Sequence, residues 1–325
     1  MNNTGLPTRI LPVCTGAFLG LAAGAAPAQS NVGISGYLDI GVHRDIKKAW
    51  NVGPIQPNNI AFTGTEDLGG GLAATFRLSH RFDPDTGGIE PTNKPFWHGE
   101  STLGLKGSFG SLQFGRRLDA IYANDWAFDP WYNFDRVASP AWDLWHFNFP
   151  SDPKGNNGTA EFGRLNNGIF YDSPAISGFS LHLSGSPETS AGDASKPYAA
   201  AVQYKNDLLR AMVAHGTNSA GNTEAFIGLN ASFSKLGLMG VYDVTKAGSS
   251  KAKSTTLGGT CTMGPYTFRA GWGQVDLDGV KAEKVYAAGG IYALSKRTSV
   301  YVDFAHKVFP TQSANTYGVG MAHSF

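Results

Sequence analysis

The side chains best placed to do chemistry crowd into one stretch, residues 118–163. It carries Asp119, Asp125, Asp129, Asp135, Asp143 and Asp152 among Tyr122, Trp126, Phe128, Trp131, Tyr132, Phe134, Trp142, Trp145, Phe147 and Phe149. Four of the chain's seven tryptophans lie there, which is too much aromatic surface for a loop surrounded by water, so the segment must pack against something. Carboxylates at this density can screen ions by charge, and flat rings can stack on a sugar or another ring-bearing solute. The rings have two readings, a structural pin for the loop and a stacking strip.

Signals for other chemistry are weak. The eight histidines are scattered without metal-ligand spacing, and no HExxH motif or CxxC pair occurs. Asp83-Pro84-Asp85-Thr86-Gly87-Gly88 opens like a calcium loop, but Lys94 stands where the bidentate glutamate is needed. Neither a GxSxG elbow nor a phosphate-cradling loop is present. Glu66 and Asp67 sit in a glycine-rich turn and read as its caps. No Ser-His-Asp grouping stands out by spacing. The expectation is therefore no enzyme and no cofactor, with a barrel-rim hydrolase as the alternative that keeps catalysis.

Composition narrows the class. The 325 residues carry 26 Lys and Arg against 25 Asp and Glu, without the basic surplus that a nucleic-acid binder needs. Forty-two per cent of the chain is apolar, which excludes a disordered protein, and two cysteines exclude a disulfide scaffold. Residues 1–28 read as a secretory signal. Arg9 precedes an apolar, small-residue run, and Ala26-Pro27-Ala28 offers the cleavage site. Pro12 and Val13 do not suit a lipoprotein cysteine at Cys14. Beyond this segment no apolar run is long enough for a transmembrane helix.

Residues 29–325 alternate instead. In VGISGYLDIGVH (32–43), Val32, Ile34, Leu38, Ile40 and Val42 share one parity, while Ser35, Tyr37, Asp39 and His43 share the other. Successive strand side chains point to opposite faces, so the segment is a strand with one greasy and one polar side. LAATFRLSHRF (72–82) repeats the pattern, placing Arg77 and Arg81 on the polar face, and Lys106 falls on the polar face of its own strand. Tight glycine-rich turns such as 65–71 and 107–110 alternate with long polar connections, among them 47–58, 83–100, 118–163, 186–196 and 245–253. Short turns at one end and long loops at the other form the outer-membrane barrel layout. About sixteen strands of ~9–11 residues fit the length. A soluble exported β-sandwich or lectin is the alternative that shares the alternation, because alternation does not say which face meets water.

GYLDIGV (36–42), FTGTEDLGGGLAATFRL (62–78), STLGLKGSFGSLQFGRRLD (101–119), GRLNNGIFYDSPAISGF (163–179), YALSKRTSVYVDF (292–304) and GVGMAHSF (318–325) together resemble the general porins of betaproteobacteria and Neisseria, in order and from end to end. The resemblance implies an all-β, 16-stranded antiparallel transmembrane barrel in the outer membrane of a Gram-negative bacterium. It also implies a homotrimer whose third long loop, here 118–163, folds into the lumen. The implied activity is passive diffusion of small hydrophilic solutes and ions, and the implied partners are those solutes, outer-membrane lipid and the assembly machinery that reads the terminal Phe325. In such channels wall arginines face loop carboxylates across the bore. The matching wall positions are Arg116, Arg164 and Asn59, so one positive charge of the family pattern is lost at Asn59. Strict alternation points Arg117 rather than Arg116 inward, and Gly115 permits a bulge that would re-aim the pair. Arg77, Arg81 and Lys106 join the candidate wall. Asp119, Asp125, Asp129, Asp135, Trp126 and Trp131 are the candidate loop residues of the constriction. The charge balance points to weak anion selectivity or near neutrality.

Overall fold

The computed structural model describes residues 31–90, 95–154 and 162–325. The export segment 1–28, Lys94 and residues 155–161 of the long loop lie outside the described residues. Sixteen long strands run antiparallel, each beside its neighbour in sequence. They are β1 (Asn31–Arg44), β2 (Asn58–Gly69), β3 (Leu72–Asp83), β4 (Glu100–Gly107), β5 (Gly110–Leu118), β6 (Arg164–Asp172), β7 (Phe179–Gly185) and β8 (Tyr198–Lys205) in the first half. The second half comprises β9 (Leu209–Thr217), β10 (Thr223–Phe233), β11 (Leu236–Ala247), β12 (Ser250–Met263), β13 (Tyr266–Leu277), β14 (Val280–Ala293), β15 (Thr298–Val308) and β16 (Ser313–Ser324). Two short strand segments, Trp50–Gly53 and Gly88–Ile89, extend the hairpin edges.

The sheet closes on itself. β1 pairs with β16 from Tyr37↔Ser324 to Arg44↔Tyr317, and with β2 along its other edge. Phe325 completes the seam by exchanging two backbone hydrogen bonds with Gly36, both 3.1 Å. A closed sheet leaves no unpaired edge, which is the condition for strands to cross lipid. No helix among the described residues is long and apolar enough to cross a membrane.

Burial settles which face meets water. On β15, Val300, Val302 and Phe304 are exposed while Tyr301, Asp303 and Ala305 between them are buried. On β16, Tyr317, Val319 and Met321 are exposed, and Thr316 and Ala322 are buried. Val32 is 65% exposed and the nearby Asp39 only 1%. A soluble sandwich would reverse this order. Large side chains turned outward on strand after strand form a surface for hydrocarbon, and the polar set faces the interior.

The expectation of a long connection over 245–253 is not met. β11 and β12 continue to Ala247 and Ser250 and are joined by a tight turn with Gly248 at φ +60°. Lys246, Lys251 and Lys253 made this stretch read as a loop, but at a barrel rim charged side chains are compatible with regular pairing, here Lys246↔Lys251 and Val244↔Lys253.

The apolar core lies between the long loop and the inner wall. One cluster joins Trp131, Val137, Ala138 and Leu144 to Val275, Val285, Tyr301 and Ala305, and a second joins Ile121, Phe128, Ala141 and Trp145 to Met212, Phe226 and Val241. Wall glycines make room for this packing. A Cβ on Gly228 would come 2.7 Å from Phe128, and one on Gly271 2.9 Å from Trp131. Within the loop, Pro140–Leu144 forms a short helix, α1, whose first turn is capped by Ser139 Oγ accepting from Trp142 N at 3.1 Å.

Candidate functional site

Because the loop packs on the wall formed by the later strands, the opposite wall of β1–β6 is left to line open space. A cavity of about 840 Å³ occupies it. Tyr37, Asn59 and Arg81 form a continuous rung across β1, β2 and β3, through the pairs Tyr37↔Asn59 and Asn59↔Arg81. All three line the cavity, together with Arg77, Arg117 and Arg164.

The two adjacent arginines separate by plain alternation. Gly115 has φ +127°, and the β5–β6 register slips beside it, but Arg116 faces both Asn166 and Asn167, so the extra residue belongs to β6 and β5 stays regular against β4. Arg117 then points into the lumen, donating to Gln113 Oε1 at 2.7 Å and Asp172 Oδ2 at 2.8 Å. Arg116 is not among the residues lining the cavity. It donates to the His98 carbonyl at 2.8 Å and to Asn166 Oδ1 at 2.5 Å. Arg164, the third family-matched position, lines the cavity and donates to the Gly99 carbonyl at 2.7 Å. Lys106 is exposed beside the tight turn at 107–110, paired with Ala73 and Ser111, and does not line the cavity.

Sequence reasoning missed the wall carboxylates. Glu100 accepts from Arg77 at 3.0 Å, and Glu90 pairs with Arg81 at 3.3 Å and with Arg136 of the loop. Glu100 shares the polar parity of Thr102 on β4, and that parity was the available signal. Glu90 lies in an irregular connection, where no periodicity marks its direction.

The loop side corrects one expectation. Asp119, Asp129 and Asp135 do not face the bore; each is at most 3% exposed. Their oxygens are consumed by the loop itself. Asp119 accepts from Ile121 N, Tyr122 N and Ser151 Oγ, Asp129 from Trp131 N, Asn133 N and Ser139 Oγ, and Asp135 from Val137 N and Ala138 N. Asp125 reaches a smaller side cavity but is buried against His146 Nε2 at 2.6 Å. Burial raises all four carboxyls above the ordinary aspartate range. Burial would lower the His146 imidazolium, but the Glu224 carboxylate and the hydrogen bonds to Asp125 and Glu224 prevail, and its pKa rises well above the usual histidine value.

The aromatic residues divide in the same way. Trp131 is 1% exposed and donates from Nε1 to Asp303 Oδ1, and Trp145 is buried with Nε1 donating to Thr256 Oγ1 at 3.1 Å. These rings pin the loop. Trp126, Tyr132 and Phe134 instead stay exposed and line the larger cavity. Trp126 and Tyr132 ring centres are 6.1 Å apart, and the Arg210 guanidinium lies 5.4 Å from the Trp126 ring. The bore is thus lined both by wall arginines and by exposed rings of the loop.

A family model described as Gram-negative porin matches residues 15–310. The chain belongs to the Gram-negative porin family. Among curated relatives of this porin, the outer membrane porin protein 32 of Delftia acidovorans is 26% identical over 331 residues, covering 92% of this chain and 89% of that protein. The major outer membrane protein P.IA of Neisseria meningitidis serogroup A is 30% identical over 172 residues, covering 53% of this chain and 39% of that protein. Among solved structures, the anion-selective porin from Comamonas acidovorans superposes with a TM-score of 0.77 at 23% identity, covering 91% of this chain and all of that one. Salmonella typhi OmpF, in complex with daunomycin, gives 0.71 at 14% identity, covering 90% of this chain and 97% of that one. The protein is an outer-membrane porin, a passive channel for small hydrophilic solutes and ions, and not an enzyme.

Proposed function

We propose that this porin conducts anions in modest preference to cations and delays ring-bearing anions at the constriction. One observation carries the reading: among the described residues the larger cavity is lined by Arg77, Arg81, Arg117, Arg164 and Arg269 against a single carboxylate, Glu100, with Asp119, Asp125, Asp129 and Asp135 of the loop buried away from it. Carboxylates immediately behind the lining, Glu90, Asp172 and Asp303, accept from three of these arginines and temper the field. Asn59 stands where the family pattern supplies a further arginine, so the expected preference is weak. The exposed rings of Trp126, Tyr132 and Phe134 add a stacking surface to the same cavity.

The porin is proposed to assemble as a homotrimer in outer-membrane lipid. Phe96 and Trp97 support this: they pack beside Phe62 and His80 on the outer face of β2 and β3 and leave Phe96 exposed. Residues 1–28 are proposed as the removed export signal, and Phe325, at the seam, as the residue read by the assembly machinery. Reversal potentials across a planar bilayer in a salt gradient test the charge reading. A weak anion preference is expected, and strong selectivity of either sign refutes it.

A further inference from the structure

The cluster around His146 lies outside the larger cavity and takes no part in the permeation reading. His146 is on the loop just after α1, while Glu224 and Asp243 are on the wall strands β10 and β11. His146 Nδ1 is 2.5 Å from Glu224 Oε1, its Nε2 is 2.6 Å from Asp125 Oδ2, and its backbone N–H donates to Asp243 Oδ2 at 2.8 Å. His146 is 4% exposed and the three carboxylates 1% each.

Two features of this cluster are unbalanced. Glu224 Oε2 and Asp243 Oδ1 are buried and receive no hydrogen bond from an N–H or hydroxyl group of the protein, and the two carboxyls face each other so that one must keep its proton to bond the other. A buried acceptor without a donor is costly, and a buried carboxylate more so. In addition, three carboxylates surround one imidazole, and among the described residues their ion pairs run to His146 alone. Asp119 adds to the same field, but its oxygens are committed within the loop. Fully ionised, the cluster lacks positive charge beside these two oxygens, and a proton kept between Glu224 and Asp243 is what a bound cation replaces.

We infer that His146, Glu224 and Asp243 bind a first-row divalent cation of the zinc or manganese class, which staples the constriction loop to the barrel wall. One ligand atom from each residue lies within 4.8 Å of the others. One imidazole with carboxylates suits these ions better than calcium, which takes six to eight oxygens. Asp125 holds the far ring nitrogen, as an outer carboxylate does for a metal-bound histidine, and so orients Nδ1 toward Glu224 and Asp243. The ion displaces the proton between Nδ1 and Glu224, so binding strengthens as pH rises. A side cavity of about 260 Å³, lined by His146, Asp125 and Tyr122, gives access and shares its Tyr122 and Phe134 walls with the bore.

The test is calorimetric titration of ZnCl₂ and MnCl₂ into the folded, EDTA-stripped porin in detergent, with Glu224→Gln and Asp243→Asn alongside. One ion per chain is expected, with at least tenfold weaker binding in each variant and a rise in thermal midpoint only in the parent protein. Heat-modifiable migration on gels confirms that each variant is folded. If either fails to fold, Asp125→Asn, which removes only the group orienting the ring, takes its place and is also expected to bind more weakly. Absence of stoichiometric binding by both ions overturns the inference, as does undiminished affinity in the folded variants.

Discussion

Trp131 Nε1 donates to Asp303 Oδ1 at 2.7 Å, tying the inserted loop to a strand 172 residues further along the chain. The same carboxylate receives Arg269 Nη2 on Oδ2 at 2.6 Å and Nε on Oδ1 at 3.1 Å, and the guanidinium lies 5.0 Å from the Trp131 ring. Asp303 thus serves a loop donor and a wall cation at once, and the two substitutions that break this arrangement should differ in cost. Trp131→Phe keeps a ring in the pocket and loses one hydrogen bond, at about 1–2 kcal/mol. Asp303→Ala leaves the buried Arg269 with Asp135, 4.0 Å away, as its one remaining carboxylate partner among the described residues, at about 3–5 kcal/mol. Urea unfolding of the folded barrel measures both. Equal losses would mean that the carboxylate does not hold the two together.

Alternation along β5 gives neighbouring arginines separate tasks. A unit charge ~7 Å from a passing ion in a watery bore changes its energy by roughly 0.5 kcal/mol, about twofold in local concentration. Arg117→Gln should therefore lower the anion-to-cation permeability ratio about twofold, and Glu100→Gln should raise it similarly. Arg116→Gln should leave the ratio unchanged, because that side chain is held by the His98 carbonyl and Asn166 rather than lining the cavity. Reversal potentials of the three variants at matched salt decide the matter, and a larger effect at Arg116 than at Arg117 would reverse the assignment.

The barrel was legible because each strand separates hydrocarbon from water, and a period of two records that separation directly, as at Val300, Val302 and Phe304. Parity also pointed to Arg117, since the extra residue of the irregularity lies on β6, opposite Arg116, and leaves the alternation of β5 intact. The direction of the loop aspartates was not legible. For Asp119, Asp129 and Asp135 most partners are backbone N–H groups two to four residues ahead, as from Asp135 to Val137 and Ala138, and every residue type except proline supplies such a donor. Asp125 is held by His146, twenty-one residues away. Nor did composition separate Trp131 and Trp145, which face the wall, from Trp126, which faces the bore. The loop has no regular period, and the wall glycines that receive its rings lie on strands far along the chain.

Trp126, Tyr132 and Phe134 stay exposed in the larger cavity, and they are expected to show their effect in retention. A ring stacked on Trp126 gains about 0.5–1.5 kcal/mol beyond area burial, or roughly twofold to tenfold in dwell time. Benzoate should interrupt single-channel current longer than acetate in the parent porin. Trp126→Ala should shorten the benzoate events and leave acetate conductance nearly unchanged. Trp142→Ala serves as the comparison, because that ring lines the side cavity beneath Arg136. If benzoate and acetate behave alike in the parent protein, the exposed rings are structural only.

The His146 cluster also makes stability depend on pH in a definite direction when no metal is supplied. The imidazolium is favoured in the folded protein, where the Glu224 carboxylate and the hydrogen bonds to Asp125 and Glu224 outweigh the burial that opposes it. A group whose folded pKa is raised stabilises fully below its unfolded value, about 6.5 for histidine, and loses that contribution as pH climbs through the raised value. Burial raises the Asp125 carboxyl as well, so its contribution is lost in the same direction, beginning above the unfolded aspartate value of about 3.9, and the alkaline part of the decline belongs to His146. In EDTA the thermal midpoint should therefore decline from neutral to alkaline pH, with increased current noise as the loop loosens from β10 and β11. Asp125→Asn should remove one ionisable partner and flatten the decline. A midpoint that rises over the same range would mean that ionised carboxylates, rather than the charged imidazole, hold the loop in place.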